Sequence, residues 1–210
     1  MKILFLGDSI TDMDRNRNFE DGHVVGLGTG YVFIVASELY KRSPIEYQVL
    51  NRGCSGNRVV DLYARIKKDV WNHKPDLLSI LIGTNDVWHE IRTENGVDLE
   101  RWERMYRLLL KETKERFPET KFIMLEPFVL KGSATEDNID RFNQIREYAK
   151  RAKVIAKDFG IPFVELQEDF DRLSEKYGVE HYLYDGVHPA TAGAKLIADN
   201  WLKVFDENFK

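Results

Sequence analysis

Short apolar runs alternate along the chain with longer segments whose apolar residues lie three or four positions apart. This alternation restricts the fold more than any other feature, because such short apolar runs are typical of strands buried on both faces. Strands that alternate with helices predict a parallel sheet between two helical layers, a three-layer α/β/α fold. The five predicted strands are Ile3–Leu6, Tyr47–Leu50, Leu77–Ile82, Phe122–Leu125 and Pro162–Leu166.

Helical periodicity occupies the segments between these strands. One apolar stripe covers residues 139–159 and ends at Gly160, and another covers residues 99–113 and stops before Pro118. A last helix is predicted from Pro189, or just after it, to Phe205. At 210 residues the chain is long enough for one α/β domain and short for two, and it contains no Pro/Ser-rich linker. A single domain, residues 1–210, is therefore predicted.

The composition restricts the partners of this domain. The net charge of −4, with acids and bases mixed along the chain, offers no basic surface for nucleic acid. Cys54 is the single cysteine, which excludes an internal disulfide and indicates a reducing compartment. The apolar N-terminal run is too short for a signal peptide, and no stretch approaches the roughly 18 apolar residues of a membrane span. We expect a cytoplasmic protein without a membrane partner, and formation of a homo-oligomer is left open.

Small and polar residues follow three of the predicted strands. Gly7-Asp8-Ser9 follows the first strand, residues 51–56 follow the second and residues 83–86 follow the third. Ligands of open α/β sheets bind beyond the carboxyl ends of the strands. The sequence therefore predicts a site at this edge of the sheet, and the loop 184–189 before the last helix supplies further polar residues.

Ser9, Asp185 and His188 have the residue types and the order of a catalytic triad. A serine hydroxyl attacks an ester only when a base removes its proton, and neutral imidazole is suited to that step. Asp185 and His188 are three positions apart in a segment that contains Gly186 and Pro189, so they can meet within one turn. The carboxylate would then hold the imidazole in one tautomer. No metal-binding cluster is apparent, and such a mechanism needs no cofactor.

An oxyanion formed on Ser9 would need preorganised hydrogen-bond donors. The backbone N–H groups of Ser9 and Gly53 and the side-chain amide of Asn85 are the candidates, and a glycine at position 53 would let a substrate approach the backbone. Purely structural interpretations stay open for each motif. Gly53 could be a turn residue with positive φ, and Asn85-Asp86, like Asp8-Ser9, could cap a helix.

Taken together, these motifs resemble the GDSL family of serine esterases and acylhydrolases, also called SGNH hydrolases. The resemblance extends from Gly7-Asp8-Ser9 to Asp185-Gly186-Val187-His188, with the family motifs in order. It implies a flavodoxin-like fold with a five-stranded parallel sheet. It also implies that Ser9 is the nucleophile, that Gly53 and Asn85 are oxyanion donors and that Asp185 and His188 complete the triad.

The substrate class follows from a narrower resemblance. Residues 27–32 and 85–88 look like segments of bacterial intracellular acetylxylan esterases of this family, which implies hydrolysis of short acyl esters, acetyl foremost, on sugars such as xylo-oligosaccharides. Asp8, Trp88 and Tyr184 are the candidate substrate-binding residues. Trp88 could equally be a packing residue, and Tyr184 stands where the acetylxylan esterases carry tryptophan.

Two alternatives remain. A lysophospholipase or thioesterase would use the same triad beside a long apolar groove, which the polar loop 12–28 does not favour. A non-catalytic, flavodoxin-like binding module would hold a phosphate or nucleotide at the strand ends and would not need Asp185 or His188. The glycine-rich segment 26–30 follows no predicted strand, contrary to a dinucleotide-binding loop, and we interpret it as a loop over the site or an oligomer contact.

Overall fold

A parallel sheet forms the centre of the molecule. In a computed structural model, which describes residues 1–19 and 22–209, five strands pair in the order β2-β1-β3-β4-β5, and each neighbouring pair is parallel. The strands are β1 (Lys2–Gly7), β2 (Gln48–Gly53), β3 (Leu77–Leu81), β4 (Lys121–Leu125) and β5 (Phe163–Val164). The predicted α/β fold with a five-stranded parallel sheet is confirmed.

Two strands differ in length from the prediction. β2 continues past Leu50 to Gly53, because Asn51 and Arg52 pair with β1 although their side chains are polar. Asn51 is buried within the fold, and its amide nitrogen donates to the carbonyl oxygens of Thr11 and Leu27. The fifth strand is shorter than predicted, since only Phe163–Val164 pairs with β4 at the edge of the sheet.

The helices follow the predicted order with added short elements. Their bounds are α1 (Ser9–Asp12), α2 (Tyr31–Arg42), α3 (Val59–Ala64), α4 (Thr84–Thr93), α5 (Leu99–Arg116), α6 (Ile139–Phe142), α7 (Ile145–Phe159), α8 (Gln167–Tyr177) and α9 (Thr191–Phe209). Single turns of 3₁₀ helix occupy Val24–Gly26, Glu136–Asn138 and Val179–His181, and a π turn occupies Lys67–Trp71. The stripe over residues 139–159 is thus divided between α6 and α7, and Gly160 ends α7 with a φ of 65°.

Helices cover the sheet in two groups. α2 packs against α9, and the ring of Phe5 on β1 contacts Tyr31 of α2 and Trp201 of α9. Trp201 also donates a hydrogen bond from its indole nitrogen to Ser79, the β3 residue that is paired with Phe5. α5 packs against α3 and α7 in the second helical layer, where Trp102 is fully buried. Burial of these large rings supplies the apolar driving force for layer packing.

The carboxyl ends of β1, β2 and β3 lie side by side. Gly7 is in register with Gly53 of β2 and with Leu81 of β3, so the chain leaves the sheet from three neighbouring strands at one edge. Of the polar loop 12–28, residues 20 and 21 lie outside the described residues. Its glycine-rich part packs against the end of α1, where a Cβ on Gly28 would lie only 2.4 Å from the carbonyl oxygen of Asp12.

The described helices include none long and apolar enough to cross a membrane. Likewise, residues 1–19 and 22–209 contain no group of three or more His, Cys, Asp or Glu side chains arranged to hold a metal ion.

Candidate active site

Ser9 is held at the point where β1 turns into α1. Asp8 is the N-cap residue of α1, and its carboxylate accepts a hydrogen bond of 3.0 Å from the backbone N–H of Ile10. Gly7 makes the turn sterically feasible, because a Cβ there would lie 2.2 Å from the hydroxyl oxygen of Thr11. As the first residue of α1, Ser9 keeps a backbone N–H that the helix itself does not use.

Asp185 and His188 meet within one turn, as their spacing predicts. One carboxylate oxygen of Asp185 accepts hydrogen bonds from the backbone N–H groups of Val187 and His188, at 2.9 and 2.8 Å. The other carboxylate oxygen lies 2.7 Å from Nδ1 of His188. Gly186 has a φ of 96°, a backbone conformation that favours glycine, and therefore closes the turn without strain.

The imidazole of His188 bridges this turn to the serine. Its Nε2 atom lies 2.9 Å from Oγ of Ser9, and its Nδ1 atom faces Asp185. With the Nδ1 proton donated to the carboxylate, Nε2 is free to accept the hydroxyl proton of Ser9. The structure thus brings the three predicted triad residues into one continuous hydrogen-bonded chain.

Electrostatics favour a charged imidazole in this arrangement. The hydrogen bond to Asp185 raises the pKa of His188, against the opposing effect of burial, and the charges of Asp185 and Asp8 add to the increase. For Asp185, burial alone would raise the pKa, but hydrogen bonds from His188 and from two backbone N–H groups outweigh it and lower the pKa. The pair therefore stabilises the imidazolium that would form if His188 took the proton of Ser9.

The prediction that Asp8 binds substrate is wrong. Its side chain is 1% exposed and is turned into the fold, where it caps α1. Burial raises the pKa of Asp8 to about 6, although the Ile10 N–H and the charge of His188 act in the opposite direction. Asp8 therefore orients the segment that carries Ser9 and supplies a nearby charge to His188 without reaching the solvent.

The assignment of Gly53 as an oxyanion donor is also wrong. Its backbone N–H donates to the side-chain oxygen of Asn51 at 2.8 Å, so this hydrogen is already engaged. A Cβ at position 53 would lie 2.2 Å from the backbone nitrogen of Asp12, which shows that α1, not a substrate, fills the space beside this glycine. Gly53 is the last residue of β2 and is not a positive-φ turn residue either.

Gly56, three residues further on, is the glycine of segment 51–56 that lines the cleft. It lines the same cleft as the serine and the histidine, has a φ of 82°, and would have no atom within 4 Å of an added Cβ. Both glycines lie in the segment 51–56, which the sequence places at the edge of the site. Which of the two lines the cleft depends on where β2 ends.

Asn85 lies across the cleft from this loop. It is in the first turn of α4, whose N-cap is Gly83, so neither Asn85 nor Asp86 is the helix cap. The side-chain nitrogen of Asn85 donates to the carbonyl oxygen of Asn57 at 3.1 Å. An amide nitrogen carries two hydrogens, and this bond leaves the second one available to the cleft.

The cleft has a volume of about 480 Å³ and is bordered by aromatic and basic side chains. Its lining residues are Ser9, Ser55, Gly56, Asn85, Trp88, His89, Arg92, Thr93 and His188. Cavities of 540 and 720 Å³ elsewhere on the surface are larger but include neither Ser9 nor His188, so volume alone does not locate the site.

Two of the predicted substrate-binding residues, Trp88 and Tyr184, flank the histidine. The ring of Trp88 lies 5.8 Å from that of His188 and meets Phe142 edge to face at 5.5 Å, so it both lines the cleft and packs in the fold. Tyr184 stacks on His188 at 5.7 Å with an interplanar angle of 16°, and it is 55% exposed. The guanidinium of Arg92 lies over Trp88 at 5.9 Å.

Comparison with known proteins identifies the family. Residues 5–196 match the model of the GDSL-like lipase/acylhydrolase family. The chain is 38% identical over 208 residues to an acetylxylan esterase of Geobacillus stearothermophilus, covering 96% of this chain and 92% of that protein. The match covers nearly the whole chain, and the chain therefore belongs to the GDSL-like lipase/acylhydrolase family.

Solved structures agree with this membership. A GDSL-like lipase from Parabacteroides merdae superposes with a TM-score of 0.92 and 37% identity, covering 98% of this chain and 95% of that one. An acetylxylan esterase from Geobacillus stearothermophilus superposes with a TM-score of 0.86 and 35% identity, covering 100% and 94% of the two chains. The protein is a carboxylic ester hydrolase, and the alternative of a non-catalytic binding module is excluded.

Proposed function

We propose that this member of the GDSL-like lipase/acylhydrolase family removes acetyl groups from sugar esters, such as acetylated xylo-oligosaccharides, through a serine-bound acyl intermediate. The single observation that carries the proposal is the hydrogen-bonded chain from Asp185 through His188 to Ser9, which opens into the cleft beside Gly56 and Asn85. Oγ of Ser9 lies within hydrogen-bonding distance of Nε2 of His188, and Nδ1 of His188 lies within hydrogen-bonding distance of Asp185.

In the first half-reaction, Oγ of Ser9 attacks the acetyl carbonyl carbon while Nε2 of His188 takes the hydroxyl proton. Asp185 stabilises the imidazolium and keeps its Nδ1 proton in place. The carbonyl oxygen becomes an oxyanion, for which the backbone N–H groups of Ser9 and Gly56 and the side-chain amide of Asn85 are the donors. The oxyanion then collapses, the bond between the carbonyl carbon and the sugar oxygen breaks, and His188 gives its proton to the departing sugar oxygen, which leaves the acetyl group on Oγ of Ser9.

The second half-reaction repeats these steps with water. His188 accepts a proton from water, the resulting hydroxide attacks the acetyl carbonyl of acylated Ser9, and the same donors hold the second oxyanion. Collapse of this intermediate returns the proton to Oγ of Ser9 and releases acetate. Every group that the cycle requires is supplied by the chain and by water.

The relatives support this assignment of roles. Three structures of the Geobacillus stearothermophilus enzyme are described as catalytic mutants, in which a serine, an aspartate and a histidine are each replaced by alanine. The spacing of those three positions along their chain equals the spacing of Ser9, Asp185 and His188 here. Agreement of residue type and spacing across chains 34% identical favours a shared triad.

The proposed sugar substrate rests on the relatives and on the cleft. One structure of the relative is described as an acetyl-xylooligosaccharide esterase with a tryptophan changed to isoleucine, directly before its mutated aspartate. Tyr184 holds that position here and stacks on His188 with half of its surface exposed. Tyr184 and Trp88 thus place two aromatic rings beside His188, an arrangement suited to stacking on a sugar ring.

The test is a substrate comparison at equal enzyme concentration. Acetate release from acetylated xylo-oligosaccharides should exceed release from a simple alkyl acetate, and 4-nitrophenyl esters should be cleaved in the order acetyl, butyryl, octanoyl. A preference for octanoyl esters would instead favour the lysophospholipase or thioesterase alternative. Equal rates on sugar acetates and on a simple alkyl acetate would contradict a sugar-binding role for the cleft.

A further inference from the structure

Asp86 is a buried acid that the proposed reaction does not use. It follows Asn85 directly in α4, and its side chain is 1% exposed. One carboxyl oxygen, Oδ1, accepts a hydrogen bond of 3.0 Å from the backbone N–H of Val59. Among residues 1–19 and 22–209, its other carboxyl oxygen has no hydrogen-bonding partner.

The hydrogen bond from Val59 lies close to Gly56 and Asn85, two of the proposed oxyanion donors. Val59 is the first residue of α3, where a helix leaves its N–H groups unsatisfied. Two residues earlier, the carbonyl oxygen of Asn57 accepts the hydrogen bond from Asn85. Adjacent side chains of α4 therefore hold the chain on both sides of residue 58, directly after Gly56.

We propose that Asp86 is a positioning residue for ester hydrolysis, which fixes the start of α3 against α4 and so sets the separation between the amides of Gly56 and Asn85. This inference rests on the oxyanion donors assigned in the proposed function. If the bond from Val59 were lost, the hydrogen bond from the amide of Asn85 to Asn57 would have to hold the loop 54–58 against α4. That amide would then have to serve both the loop and the oxyanion.

We expect the positioning role of residue 86 to depend on the shape of its side chain and not on a negative charge. Burial raises the pKa of Asp86 well above its ordinary value, the Val59 N–H opposes the increase, and the nearby carboxyl of Asp8 adds to it, while the charge of Arg58 lowers it. The raised pKa favours the neutral, protonated form of this side chain. An asparagine has the same outline and the same accepting oxygen, so it should replace the acid without moving the loop.

The experiment compares Asp86→Asn with Asp86→Ala on 4-nitrophenyl acetate. We expect kcat of the asparagine variant to stay within about threefold of the parent, and kcat of the alanine variant to fall by about 10- to 100-fold with little change in KM. Thr113→Val is the matched control, because it removes another buried hydrogen bond, from Trp71, outside the cleft. It should lower the melting temperature and leave kcat unchanged.

Val59→Pro tests the same bond from the other partner. Proline is favoured at the first position of a helix and lacks the N–H that Asp86 accepts, and the extended backbone of Arg58 (φ −104°, ψ 173°) suits a following proline. Its kcat should fall as in Asp86→Ala, which keeps the inference testable if the alanine variant does not fold.

Two results would overturn the positioning role. The first is a folded Asp86→Ala or Val59→Pro enzyme with parental kcat. The second is an asparagine variant as impaired as the alanine variant, since a neutral side chain of the same outline should suffice. In either case, labelling of Ser9 by a fluorophosphonate in the parent enzyme would show that the proposed mechanism stands and only the role of Asp86 fails.

Discussion

The histidine side of the cleft and the oxyanion side are built in different ways. On the histidine side, Asp185 binds both the backbone and the ring of a residue three positions away, and the turn that joins them is closed by one glycine. On the oxyanion side, the proposed donors Ser9, Gly56 and Asn85 belong to α1, to the loop after β2 and to α4, which are far apart in the sequence.

Their supports differ accordingly. The oxyanion side depends on long-range bonds such as those of Arg65, whose guanidinium donates to the carbonyl oxygens of Gly7 and Arg52 and to the side chain of Asn57. The histidine side depends on bonds within one turn, to which only the loop of Leu130 and Ala134 adds long-range backbone hydrogen bonds among the described residues, to the carbonyl oxygens of Gly186 and Asp185. A locally closed turn keeps its geometry when distant packing changes, whereas donors from separate segments move when any one segment shifts. Mutations should therefore affect the two sides differently.

The largest expected effect is at Ser9, which belongs to both sides. Ser9→Ala removes the nucleophile and should lower kcat by about 10⁴- to 10⁶-fold. Steady-state kinetics with 4-nitrophenyl acetate measure the loss of kcat. Labelling by a fluorophosphonate measures the loss of the nucleophile. Ser55→Ala, which removes a second hydroxyl from the same cleft, should keep the labelling. Turnover that survives in purified Ser9→Ala would remove the mechanism altogether.

The next effect isolates the histidine side. Asp185→Asn leaves the turn's outline intact but favours the wrong imidazole tautomer, and it should lower kcat by up to about 10⁴-fold. The melting temperature should change little if the amide oxygen keeps the bonds from Val187 and His188. A loss below about tenfold in single-turnover measurements would mean that the tautomer of His188 is fixed by something other than Asp185.

A smaller effect isolates the oxyanion side. Asn85→Ala should lower kcat by about 10²- to 10³-fold with little change in KM, because the amide acts mainly on the transition state. Gly53→Ala, by contrast, should lower the free energy of unfolding by about 1–3 kcal/mol through overpacking against Asp12, as denaturant titration would show. A change in KM alone for Asn85→Ala would assign this residue to substrate binding.

The smallest effect is a shift of pH dependence. Only neutral His188 accepts the serine proton, and its pKa is raised, so kcat/KM should rise with pH through one ionisation above 6.5. In Asp185→Asn the raising hydrogen bond is lost while burial remains, so the residual activity should rise at lower pH than in the parent. A profile of the variant that coincides with the parent profile would contradict Asp185 as the cause.

The same contrast explains what the sequence could predict. The Asp185–His188 turn depends on residues three positions apart, and the strands that precede Ser9 and Asn85 are strongly apolar, so these parts of the site were predictable. The position of the glycine that lines the cleft was not predictable, because Asn51 and Arg52 are polar residues inside a strand. That strand was predicted to end at Leu50 but ends at Gly53, so the loop begins three positions later. The glycine that lines the cleft is therefore Gly56 and not Gly53.

The other differences from the predictions concern features that tertiary contacts determine. Asp8 follows an apolar strand and precedes the serine, a position equally compatible with a substrate ligand, and only the fold turns its carboxylate inward. The break between α6 and α7 is invisible in an apolar stripe that continues through it. The predicted cytoplasmic location, the single domain and the formation of a homo-oligomer stay predictions.

The buried carboxyl of Asp8 links the folding equilibrium to the acidity of the medium. Its pKa rises from 3.8 to about 6 on folding, so the folded chain holds this proton more tightly than the unfolded chain does. The corresponding stabilisation, about 3 kcal/mol, is complete below pH 3.8 and is lost as pH rises through 6. Over that interval the fraction of neutral His188 increases. A rise of pH thus weakens the fold before it activates the base, whose ionisation lies above 6.5. The difference in unfolding free energy between the parent and Asp8→Asn, followed from pH 4 to 7, measures the loss of stability.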